Sequence, residues 1–150
     1  MPTLTPSQAT ALQARLADAA VLPRQRRAVP HVAAMTATGP DADSSNTTEH
    51  VLALVRQERD GEPLRGAIEV ASKALLHNAL PSGEVVAVGD QQDDALAVLA
   101  QRVLRLHLSG EGTAAWILLR QYDVPRHAAV LALITGWLNL QLAGVDPMSL

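Results

Sequence analysis

The stretch Asp123–Ala143, DVPRHAAVLALITGWLNLQLA, decides the fold class. Asp123 is a good helix N-cap, Pro125 sits close to N1, where a missing N–H costs nothing, and the following Gly144 is a natural C′ residue. Between them Val130, Leu131, Leu133, Ile134, Trp137, Leu138, Leu140 and Leu142 project in nearly every direction around the axis. A helix that is apolar all round must be covered all round. Its most apolar part, Ala128–Ala143, is 16 residues long and contains Thr135, Asn139 and Gln141. A membrane-spanning helix needs about 20 predominantly apolar residues. The stretch therefore reads as the buried, central helix of a soluble bundle.

Composition extends that reading outward. The chain has 150 residues, 48% of them apolar and 18% charged, enough for one domain over 1–150 with a real core. Alanine supplies 26 residues and leucine 23, against 3 isoleucines and no phenylalanine, which favours helix over strand. The absence of cysteine excludes disulfide scaffolds, thiolate metal sites, iron–sulfur clusters and cysteine nucleophiles. A net charge of -3 argues against coating nucleic acid or an anionic membrane through bulk charge. Eleven arginines against one lysine, with so much alanine, point to a GC-rich bacterial genome. Met1–Thr10 carries neither a basic nor an apolar signal region, so a cytoplasmic location is expected.

Punctuation divides the chain into about six helices, an all-α bundle of orthogonal or up-down type. Thr5-Pro6 starts the first, with Ala9, Leu12 and Leu16 on one stripe. Pro23 ends or bends it, and Pro30 predicts that any helix in Pro23–Thr38 is short or kinked. Residues 38–46 read as a flexible loop. Asn46 with Glu49 resembles a capping box for a helix to Arg59, which is the plainer use of the Asn46-Thr47-Thr48 sequon. Pro63 opens the next helix and Pro81-Ser82-Gly83 closes it. Glu84–Val88 is either extended or helical. Asp90 with Asp93 starts a helix facing Leu96, Leu99, Val103 and Leu106 inward, and Thr113 caps a short one to Tyr122.

Four constellations could carry chemistry. Leu118–Leu133, LLRQYDVPRHAAVLAL, resembles a helix-turn-helix, in which Arg126 and His127 would open a recognition helix. The following outward positions, Val130, Leu131 and Ile134, are apolar where a groove reader needs polar side chains, so a capped turn between packed helices is the plainer reading. Gly110-Glu111-Gly112-Thr113-Ala114-Ala115 matches a dinucleotide fingerprint but follows a helical pattern rather than a strand, which makes it an interhelix turn. Glu69, Lys73 and His77 share a face that reads as solvated and ion-paired. The remaining histidines are scattered, and no metal or other cofactor is expected. Arg24, Arg26 and Arg27 could meet phosphate or an acidic partner, without an aromatic neighbour for base stacking.

The functional expectation is a small, non-catalytic regulatory or adaptor module acting by protein–protein contact. It would self-associate as a homodimer through Trp137, Ile134, Leu138 and Val130. The alternative is a DNA-binding regulator using Arg126 and His127, with Arg24, Arg26 and Arg27 on the backbone. A third reading is a small-ligand binder or enzyme with a pocket between helices.

Overall fold

The computed structural model describes residues 4–38, 44–57, 62–76 and 95–143, and among these it places seven helices and no strand. They are α1 (Pro6–Ala19), α2 (Pro23–Thr38), α3 (Ser44–Gln57), α4 (Arg65–Leu75), α5 (Ala95–Leu108), α6 (Gly112–Leu119) and α7 (Val124–Ala143). The all-α bundle is as expected, and the seven helices fit the count of about six, with Pro23–Thr38 supplying a full helix. Glu84–Val88, the Asp90–Asp93 cap, His77 and Gly144 lie outside the described residues. None of the described helices is long and apolar enough to cross a membrane.

Caps hold the helix starts where the sequence puts them in two cases. Thr5 accepts the Gln8 N–H at 3.2 Å while the Gln8 side chain accepts the Thr5 N–H at 2.9 Å, a reciprocal capping box. Asp123 Oδ1 accepts the Arg126 N–H at 3.2 Å at the start of α7. Elsewhere the expectations need correction. Pro23 starts a helix, and Pro30 sits inside the 16-residue α2 instead of ending it. The proline removes one hydrogen bond, to the Arg26 carbonyl; both residues lie on the exposed side, where water can serve that group. α3 begins at Ser44, so residues 44–46 are helical and Asn46 is not its cap. Glu111, not Thr113, is the N-cap of α6.

The core is built around two helices, not one. α7 packs on α1, α2, α4 and α5, and α4 packs on α1, α2, α5 and α7. Every α4 residue from Gly66 to Leu75 is buried except Lys73. The expected solvated face of Glu69, Lys73 and His77 is thus wrong at Glu69, which is 7% exposed between α4 and α2. α2 and α4 touch backbone to backbone: a Cβ on Gly66 would lie 2.4 Å from the Arg24 carbonyl oxygen. Glycine is required there by contact distance.

The polar residues that interrupt α7 have defined tasks. The last carbonyls of any helix lack intrahelical partners. Asn139 Nδ2 donates to the Thr36 carbonyl at 2.8 Å, close to the end of α2. Gln141 Nε2 donates to the Leu75 carbonyl at 3.2 Å, at the end of α4, while its Oε1 accepts from Arg15 of α1 at 2.6 Å. Thr135 turns its hydroxyl onto the Leu131 carbonyl of its own helix at 3.0 Å. α7 therefore supplies both the apolar core and the C-terminal caps of two neighbours.

Candidate groove at the α6–α7 corner

α5 ends in a Schellman motif: Gly110, at φ 78°, donates to the His107 carbonyl at 3.0 Å, and Glu111 donates to the Leu106 carbonyl at 2.8 Å. The glycine-rich run is a helix-to-helix turn, as expected from the helical pattern before it. From this turn α6 leads to the bend Arg120–Asp123 and into α7. A groove of about 560 Å³ lies at that corner, lined by Glu62, Trp116, Arg120, Tyr122, Asp123, Val124 and His127.

The floor of the groove is rigidly assembled. Trp116 is 4% exposed, and its Nε1 donates to Glu62 Oε1 at 3.0 Å. Glu62 Oε2 accepts from Arg65 at 2.8 Å, and the Arg65 guanidinium lies 5.8 Å from the Trp116 ring centre. On the other side the His127 ring lies 5.1 Å from Trp116. His127 Nε2 faces the Leu119 carbonyl, which can only accept, so Nε2 carries a proton. The ring's Nδ1 is buried without a hydrogen-bond partner. The rim is softer: Arg120, Tyr122, Asp123 and Val124 are exposed, and Arg126 rests 5.9 Å from the Tyr122 ring.

The structure distributes the sequence-derived candidates unevenly. Val130, Ile134, Trp137 and Leu138 are 0–2% exposed within the single chain. Those four side chains are covered within one chain, where α7 packs on α1, α2, α4 and α5. Of the helix-turn-helix pair, Arg126 is exposed, whereas His127 is 6% exposed and bonded to Leu119. Of the arginine trio, Arg26 and Arg27 are exposed, whereas Arg24 grips Glu69 with two hydrogen bonds of 2.7 and 3.1 Å. Glu62, Trp116, Arg120 and Tyr122 were not foreseen together. The available signal was that Trp116 and Tyr122 are two of only three aromatic residues.

A second polar cluster lies between α2 and α4. Burial pushes the Glu69 carboxyl up, but the Arg24 hydrogen bond and charge, helped by Gln25 and Arg65, bring it below the ordinary carboxylate value. His107 of α5 is held below the ordinary histidine value by burial, with Glu69 raising it and Lys73 lowering it. Among the described residues no three histidine, aspartate or glutamate side chains converge as metal ligands. Comparison with protein-family models, with curated proteins and with solved structures finds no match to this chain.

Proposed function

We propose that the chain is a non-catalytic regulatory or adaptor module that docks a peptide segment of a partner protein in the α6–α7 groove. The observation that carries this reading is the pairing of a fixed floor with an exposed amphipathic rim. Tyr122 and Val124, both on the rim, are 39% and 38% exposed. Exposed apolar side chains around a groove mark contact surfaces. Arg120 and Asp123 add one charge of each sign for orienting a peptide. The groups that acid–base chemistry would need are engaged structurally: Glu62 holds Trp116 and Arg65, Asp123 caps α7, and His127 is tied to Leu119. That supports binding over catalysis.

Panning a random peptide library on the full chain tests the reading. Selected peptides should converge on one motif, should alter Trp116 fluorescence, and should lose at least tenfold in affinity on Val124→Asp or Tyr122→Ala. Peptides that bind both variants as well as wild type would sink it. The DNA reading has weaker support, because His127 is buried and Arg24 is committed to Glu69. Self-association through α7 has weaker support for the same kind of reason.

A further inference from the structure

α3 packs chiefly on α2, and the seam between them includes a chain of three polar side chains. Gln57 Nε2 lies 3.1 Å from His31 Nε2, and His31 Nδ1 lies 3.0 Å from His50 Nδ1. The two rings are 5.3 Å apart at 62°. An amide nitrogen only donates, so His31 Nε2 accepts and His31 carries its proton on Nδ1. That proton points at His50 Nδ1, which must be bare, leaving the His50 proton on Nε2. With both rings neutral, each contact along the chain pairs a donor with an acceptor.

We propose that the Gln57–His31–His50 chain is an acid-released latch holding α3 against α2. One added proton can be placed on His31 Nε2 if the Gln57 amide turns over and offers its oxygen. A second has to go on His50 Nδ1. It would then face the His31 Nδ1–H, two donors and two positive charges 3.0 Å apart. Burial first, and then the His50 charge, hold His31 below its ordinary value of 6.5. Among the described residues, the other charged groups on the neighbouring elements are Arg26 and Arg27 on α2, Glu49 and Arg56 on α3, Arg15 and Asp18 on α1, and Arg65, Glu69, Lys73 and Arg126 on α4 and α7, while Arg24 is paired with Glu69. Docked, His31 takes up a proton less readily than an ordinary histidine. Docking is therefore at full strength above pH 6.5 and weakens as pH falls through that value toward the lowered one.

Amide hydrogen exchange on the full chain, corrected for intrinsic rates, tests the latch. Between pH 7 and pH 5 the α3 amides should lose about tenfold in protection while those of α4 and α7 hold theirs. His50→Gln keeps an acceptor for His31 without a second titrating ring, and should lose clearly less α3 protection at pH 5 than wild type, burial of His31 being the part that remains. In wild type, ring-proton shifts should show His31 titrating below ordinary histidine. Protection of α3 that is flat with pH, or that falls in step with α4 and α7, overturns the proposal. So does ordinary His31 titration, or a His50→Gln chain that loosens as wild type does.

Discussion

α2 is fastened at two points along its length by contacts of opposite character. Near its start, Arg24 meets Glu69 of α4 as a charged, bidentate pair, reinforced by Gln25 at 3.4 Å and Arg65 at 3.6 Å. Further along, His31 meets His50 of α3 as a neutral pair. The first seam has a buried carboxylate, with side-chain exposures of 27% for Arg24 and 9% for Glu69, and it lies beside a backbone contact at Gly66. The second is part-exposed and holds a helix that packs on little else. Buried charges are kept only when complementary, and neighbouring imidazoles are kept only when few protons are present. The two ends of one helix thus answer to different chemistry.

The contrast can be broken most forcefully at Glu69. Glu69→Ala leaves Arg24 and Arg65 without their shared acceptor and should cost about 3 kcal/mol in urea unfolding at pH 7. His50→Ala should cost no more than about 1 kcal/mol, since its partner is only half-buried. Equal losses would erase the distinction. Gly66→Ala should cost about 2–3 kcal/mol, because the new methyl meets the α2 backbone rather than a side chain that can swing away. A neutral outcome would mean that the two backbones are not in contact.

Acid should separate the seams without mutation. Glu69 has a lowered pKa, so its contribution is present above its ordinary 4.5 and is lost as pH falls through the lowered value. The α3 seam gives way from pH 6.5 downward. Circular dichroism with exchange data should show α3 loosening first and the α2–α4 packing failing only below 4.5. At the far end of α2, Asn139→Ala strands the buried Thr36 carbonyl and should cost about 1–2 kcal/mol. Asp123→Ala, remote from both seams, should lower stability by about 1 kcal/mol while leaving both pH responses in place.

Features that depend on neighbours in sequence were legible. The Thr5 and Asp123 caps, the Gly110 turn and the Leu99–Val103 stripe each follow from residues within a turn or two of one another. Features that depend on distant residues were not. Glu69 looks solvated beside Lys73 because its partner Arg24 is 45 residues away. His31 and His50 are separated by a helix break, so no periodicity connects them. Pro30 misled because sequence shows the lost N–H and not the solvent that can serve Arg26. His127, flanked by Arg126 and a capping aspartate, gave no sign that Leu119 and Trp116 would enclose it. The groove was hidden for the same reason, since Glu62 reaches Trp116 across 54 positions.

The order of synthesis gives α7 a further consequence. The helix that fills the core and finishes the ends of α2 and α4 is translated after all its partners. Chains emerge at about 5–20 residues per second, so α1, α2, α4 and α5 wait several seconds with the faces that α7 covers still open. During that interval they have one another as partners, above all α4 against α1, α2 and α5, and the core is completed only when α7 arrives.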